Sequence, residues 1–444
     1  MNTNRFERTS KSSQGAYNHQ NVILTLYVES TKDIASTARD LACECLGGLC
    51  AQSTYPGSDK KEPFVVTIVD IEKQSETSGD IKIAIPEFVF EKDNIPQILA
   101  ISTGDIFGIR SIKSIRLRDI LLPYSFFKEN RGPAYGITGL RQALQIYNRP
   151  LLATTIRPCF GMKISEYLDR AYQVWTGGID IILDHPALSD QEFNPFYDRV
   201  TRMIELRRKI EDELHVKKLY FPNISARMGE MYARGKFVRN LGGRGVLVDM
   251  LTVGYSGTQY VKEQEMGLLI HAHRVMHGAF THTEKHGISM DVFARLGRIA
   301  GIDQLHVGST LGKNEGSIQG ILRINSILRE GGHNIRPTMP FISGGLHAHH
   351  IPRIVEILGK DITIHMSSSI FGHAQGCREG ARSVSSTLDD FISGFSLKGR
   401  NQSYPLNKQS SPSIKSESVS NNDTMPSSYV HALAVSKGLD LIKT

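Results

Sequence analysis

Eight short apolar runs follow one another after about residue 138, each trailed by a stretch of helical pattern. They are LLATTI (151–156), IDIIL (179–183), LYFPNI (219–224), GVLVDM (245–250), GLLIHAH (267–273), QLHVG (304–308), MPFISG (339–344) and ITIHM (362–366). Parallel strands buried on both faces read as near-continuous apolar runs, and helical patterns such as EYLDRAYQVW and GILRINSILRE lie between them. Eight βα units in series predict an α/β fold, a (β/α)8 TIM barrel.

A barrel of this kind carries its site at the C-terminal ends of its strands. Polar residues gather there in this sequence: Thr155 and Arg157, Asp184 and His185, Asn223, Asp249, His271 with His273 and Arg274, His306, Ser343, and His365 with Ser367 to Ser369. Strand ends meet water and are often polar for that reason alone. Histidines and arginines converging from several strands fit an anion-binding site better.

Residues from about 20 to 137 mix strand-like runs (NVILTLYV, FVVTIVDI, IKIAIPEF) with two helical stretches near 33–46 and 94–103, a pattern that predicts an N-terminal α+β domain of ferredoxin-like type. The expected organisation is a disordered N-terminus over 1–19, the ferredoxin-like domain over 20–137, the barrel over 138–397, a flexible linker over 398–426 and a C-terminal helix over 427–444. No apolar run approaches the roughly 18 residues that a membrane span needs, and no leader pattern opens the chain, so a cytoplasmic protein without a membrane partner is expected. The 52 basic and 45 acidic residues leave a net charge of +7, but they are interspersed, with no basic stripe carrying aromatics. Nucleic acid is therefore not an expected partner. Cys43, Cys45 and Cys50 fit no usual zinc spacing and read as free thiols near a helix end.

The segment GGIDIILDHP (177–186) resembles the GGxDxxKDDE box of the RuBisCO large subunit. The likeness runs from about Leu24 to Leu397 through GPAYGITGLRQALQIYNRPLLATTIRPCFGM, HAHRVMHGAFTHTEKHGISM, GIDQLHVGSTLGKNEG, MPFISGGLH and FGHAQGCREGARS, and in detail it looks nearest to the archaeal branch. The resemblance implies a shared site between subunits, hence a homodimer or higher homo-oligomer. It also implies that Arg274, His306 and Ser343, with Gly344 and Gly345, hold one phosphate of a sugar phosphate, beside Thr155. His273 is then the candidate acid or base. Lys313, on a loop that closes over the ligand, would pair with Glu44 of a neighbouring subunit. A guanidinium fork, an imidazole and a hydroxyl suit phosphate oxygens.

The departures are specific. The family's carbamylated lysine is replaced by Leu183, and the two acidic metal positions are filled by His185 and Pro186, so the Mg2+ ligand set of the family is not retained and no cofactor is expected. Arg157 and Cys159 stand where the family has two lysines; arginine, with a pKa above about 12, holds an anion but does not act as a base. Leu49 and Cys50 replace residues near the second phosphate, Asp105 replaces an asparagine, and Ser367, Ser368 and Ser369 replace a glycine triplet that cradles that phosphate. Ser368 and Ser369 remain possible donors to it.

These residues imply a diverged RuBisCO-like protein of form IV type acting on a phosphorylated ketose or related sugar phosphate, as an isomerase, enolase or decarboxylase, and argue against ribulose bisphosphate carboxylation. The alternatives are a noncatalytic sugar-phosphate-binding homologue and a residual RuBisCO-type ribulose bisphosphate enzyme. A further reading, a transition metal on Asp184, His185 and Asp249, suffers from the opposite faces of adjacent strand residues.

Overall fold

The computed structural model describes residues 20–45, 66–130, 132–309, 311, 317–330 and 335–398. Lys313, Leu49, Cys50, the N-terminal 19 residues and the C-terminal helix expected over 427–444 lie outside the described residues, as does nearly all of the expected linker.

The N-terminal sheet is built from β1 (Asn21–Ser30), β2 (Thr67–Lys73), β3 (Ser78–Pro86) and β4 (Ile112–Leu121), in the order β4-β1-β3-β2 and antiparallel throughout. Alternate residues Val22, Leu24, Leu26 and Val28 of β1 enter the core that the two helices Ile34–Glu44 and Ile95–Thr103 supply from their own apolar faces. Both helices start where a side chain takes up a free backbone N–H. Asp33 accepts from Ser36 at 2.9 Å and Asn94 from Gln97 at 3.1 Å. This order of strands and helices is the ferredoxin-like arrangement expected. The sequence reading did not single out β4 as a strand.

The barrel strands are β5 (Leu151–Thr155), β6 (Ile181–Leu183), β7 (Leu219–Phe221), β8 (Gly245–Asp249), β9 (Leu269–His273), β11 (Gln304–Gly308), β12 (Met339–Ile342) and β13 (Thr363–His365). They are the eight anticipated runs, and all pair in parallel in the order β7-β6-β5-β13-β12-β11-β9-β8. A bridge between Asn223 and Leu247, with Leu247 N–H donating to Pro222 O at 2.8 Å, joins the two ends into a ring.

Period two sorts the side chains between two cores. Leu151, Ala153, Ile181, Leu183, Leu219, Phe221, Leu247, Leu269, Met339 and Phe341 fill the barrel interior. Their neighbours Leu152, Ile182, Tyr220, Val246, Val248, Ile270, Leu305 and Ile364 pack outward against the helices. The interior also holds one polar layer, in which His271 Nδ1 meets Gln304 Oε1 at 2.8 Å and Gln304 Nε2 donates to Thr363 Oγ1 at 2.6 Å.

The two parts of the chain are stitched together by β10 (Gly287–Ile288), which leaves the barrel after β9 and pairs in parallel with the outer edge of β4. Ser114 Oγ donates to Lys285 O at 2.6 Å, and Arg295 Nε reaches Asp119 Oδ1 at 2.7 Å beside this seam. Among the described residues no helix is long and apolar enough to cross a membrane.

Candidate functional site

The C-terminal mouth of the barrel brings most of the expected residues together. Arg274 follows β9 and is buried, and its Nε donates to His306 Nδ1 on β11 at 3.2 Å. That bond fixes the remaining proton of a neutral His306 on Nε2. His273 stacks at a tilt on His306 with ring centroids 4.7 Å apart. Burial and the nearby Arg274 charge push both histidines well below the ordinary imidazole range, burial being the larger cause. His273 is thus held neutral with a buried Nδ1 that finds no protein partner. It is suited to accept a hydrogen bond rather than to take up a charge.

Ser343, after β12, lies in the same mouth, and its Oγ is 2.8 Å from His365 Nδ1. The other nitrogen of His365 meets two more hydroxyls, Thr155 Oγ1 and Ser367 Oγ, both at 3.1 Å. Three hydroxyls from β5, β12 and the turn after β13 therefore lock one imidazole, which burial pushes down to about 3. His365 was visible as a polar strand end but received no role from the sequence. The signal was its inward parity with Thr363, two residues earlier on the same strand. Gly344 and Gly345 continue from Ser343 with φ of 142° and 69°, backbone that a side chain would strain.

The other side of the mouth differs from the family pattern in structure as well as in sequence. Leu183 is buried in the barrel interior. Asp184, one residue on, turns outward into the helix layer, where both oxygens are consumed. Tyr167 and Tyr220 donate to Oδ1 at 2.9 and 2.7 Å, while Arg199 Nη2 and the backbone N–H of Asn223 donate to Oδ2 at 3.1 and 3.0 Å. His185 spends Nδ1 on the Ala187 N–H at 3.2 Å, and burial with the Arg157 charge lowers its pKa to about 4. The expected loss of metal ligands follows physically: the one carboxylate among residues 183–186, Asp184, faces away from the mouth with both oxygens hydrogen-bonded. The transition-metal reading on Asp184, His185 and Asp249 fails on the same ground, and no group of three potential ligands occurs among the described residues. The residues present do not fit Mg2+ as the family holds it.

Arg157 projects from the end of β5 and is exposed, with its Nη1 2.8 Å from Cys159 Sγ. Ser367 is turned inward, accepting the Thr155 N–H at 3.0 Å, whereas Ser368 is exposed and Ser369 Oγ is buried with no partner. The three serines thus do unlike jobs. Asp249, cross-strand neighbour of His273, keeps one buried oxygen without a partner, and burial raises its pKa to about 6. Glu44 ends the helix Ile34–Glu44, half-buried, and makes no hydrogen bond or ion pair with the barrel among the described residues.

Comparison with known proteins completes the description. Residues 136–411 match the model of the ribulose bisphosphate carboxylase large chain catalytic domain, and residues 14–126 match that of its N-terminal domain. The ribulose bisphosphate carboxylase of Methanocaldococcus jannaschii is 36% identical over 394 residues, 85% of this chain and 93% of that protein. The protein of the same name from Pyrococcus furiosus is 38% identical over 74% of this chain and 80% of its own length. Among solved structures, the octameric enzyme of Pyrococcus horikoshii, crystallised with sulfate, superposes with a TM-score of 0.80 at 34% identity, covering 86% of this chain and 91% of that one. A dimeric archaeal enzyme from Hyperthermus butylicus gives 0.77 at 30% identity, covering 86% and 92%.

Proposed function

Because this chain belongs to the ribulose bisphosphate carboxylase large-chain family, we propose that it is a RuBisCO-type enzyme whose ligand is a ribulose bisphosphate. This corrects the expectation of a phosphorylated-ketose isomerase, enolase or decarboxylase. The relative named ribulose bisphosphate carboxylase from Methanocaldococcus jannaschii aligns over 93% of its length at 36% identity, and the relative of that name from Pyrococcus furiosus over 80% at 38%. The family membership also anchors the expectation of an enzyme rather than a bare binding homologue.

The observation that carries the reading is the convergence of Arg274, His306, His273 and Ser343 on one side of the mouth. In this reading Arg274 and His306 Nε2–H donate to one phosphate, and Ser343 and Thr155 orient the sugar hydroxyls beside it. Held neutral, His273 is the acceptor beside His306 for a hydrogen bond from the sugar. Asp249 is a second acceptor of the same kind. The second phosphate lies toward Ser368 and Ser369. By the family resemblance Lys313, outside the described residues, and Glu44 of a neighbouring subunit are the further residues assigned to this ligand. No step is routed through a carbamate or a bound metal, because the donor set for them is missing. As for the archaeal structures described above as dimeric and octameric, a homo-oligomer is the expected assembly, with the domains at 20–137 and 138–397.

The test is direct. Ribulose-1,5-bisphosphate should stabilise the protein against heat and be consumed in its presence, and Arg274→Ala should lose both while keeping its fold by circular dichroism. At a hundredfold excess over Kd the stabilisation is about 2.7 kcal/mol. No stabilisation at any attainable concentration would overturn the reading.

A further inference from the structure

An enzyme that handles the keto and enolate oxygens of a sugar bisphosphate needs a positive charge beside them, and the family supplies it as a metal ion. At the end of β6 no carboxylate is available to hold such an ion: Leu183 is part of the apolar interior, Asp184 is turned away with both oxygens occupied, and His185 has committed Nδ1 to the backbone. The charge at this place comes from elsewhere. Arg157 follows the adjacent strand β5 at its C-terminal end and is exposed; among the described residues no carboxylate pairs with it, and its side-chain hydrogen bond goes to the thiol of Cys159. Strand β5 lies between β6 and β13, and the Arg157 charge at its end adds to burial in lowering the pKa of His185, after β6, and of His365, on β13.

We propose that Arg157 replaces the divalent cation as the fixed positive charge of the site, gripping the ligand's central oxygens through its guanidinium N–H groups, so that binding requires neither Mg2+ nor CO2. The inference rests on the bisphosphate reading above. The replacement is chemically coherent. A guanidinium is permanently charged, is more weakly hydrated than an ammonium, and offers a fork of donors to paired oxygens. The same substitutions that abolish the carbamate leave an arginine in the mouth without a carboxylate to neutralise it.

The experiment is calorimetric titration of the full-length protein with ribulose-1,5-bisphosphate, once in EDTA and CO2-depleted buffer and once with Mg2+ and bicarbonate. The expected result is the same Kd within about twofold in both buffers, a small fraction of the 1.4 kcal/mol that a tenfold change represents. Arg157→Gln should weaken binding about tenfold or more without rescue by Mg2+, and Arg157→Lys should recover part of the loss. Arg157 is exposed, so both variants should melt with the wild type, and their circular dichroism spectra check this. A gain of about tenfold or more on adding Mg2+ and bicarbonate, or an Arg157→Gln variant that binds like wild type, would sink the inference alone. Absence of binding in every buffer would remove the bisphosphate reading beneath it.

Discussion

At the end of β6 the polar side chain turns outward, and at the ends of β9, β11 and β12 the polar side chains turn inward. Asp184 is fully buried among Arg199, Tyr167 and Tyr220, a neutralised cluster that holds strand to helix. Arg274 and Ser343 are buried and His306 and His273 half-buried around the mouth, where His273 Nδ1 has no partner among the described residues. One group of residues therefore serves the fold, and the other is available to a ligand. A strongly polar strand end is not by itself a site; what matters is whether its hydrogen-bonding capacity is already used.

The comparison breaks most decisively at Asp184. Arg199→Met leaves a buried carboxylate with its cation removed, and a loss of about 3 to 5 kcal/mol is expected, read as a lowered urea midpoint. Arg274→Ala, on the ligand side, should move that midpoint far less. Equal losses would erase the distinction.

Asp249 gives the next effect. Its carboxyl is raised from 3.8 to about 6 by burial, so the protonated form is favoured by folding. That contribution is complete below the unfolded value and is lost as pH rises through about 6. Asp249→Asn should therefore gain on wild type between pH 4 and pH 8 by up to about 3 kcal/mol, followed as the difference of melting curves.

The buried histidines run the opposite way. His271 and His365 are lowered from 6.5 to about 4 and about 3, so their contribution is present above 6.5 and declines as pH falls toward those values. Each should cost about 2 kcal/mol by pH 5. A His365→Gln variant should flatten the acid side of the stability profile by that amount, and an unchanged slope would show that the ring is protonated without cost. The smallest effect is expected from Ser343→Ala, which removes one hydrogen bond to His365 and should cost about 1 kcal/mol in stability while leaving Arg274 and His306 in place.

The sequence disclosed the eight barrel strands because a parallel strand buried on both faces has little choice but to be apolar. Leu183 and Asp184 could be assigned to opposite faces by parity alone. What parity could not reveal was the outward partner: Arg199 lies on the following helix, and only packing brings it to Asp184. Strand β4, IKSIRLRDIL, escaped because half its side chains are polar or charged; β10 escaped because two residues carry no periodicity and become a strand only beside β4. His365 was seen but not understood, since its role depends on hydroxyls from three other places in the chain. Lys313 was named from resemblance, and it lies outside the described residues.

The seam at β10 has a consequence for how the protein is made. The outer edge of β4 leaves the ribosome well before Gly287 and Ile288, which cover it in the finished fold. At about 5 to 20 residues per second, the N-terminal sheet waits roughly 10 to 30 s with an open row of backbone donors and acceptors. The polar alternation of β4, with Lys113, Arg116 and Arg118 along the strand, guards that edge in the interval. Arg116, which in the completed molecule donates to Thr281 O, and Arg118, which pairs with Asp80, thus also protect the nascent chain from pairing with its neighbours on the same message.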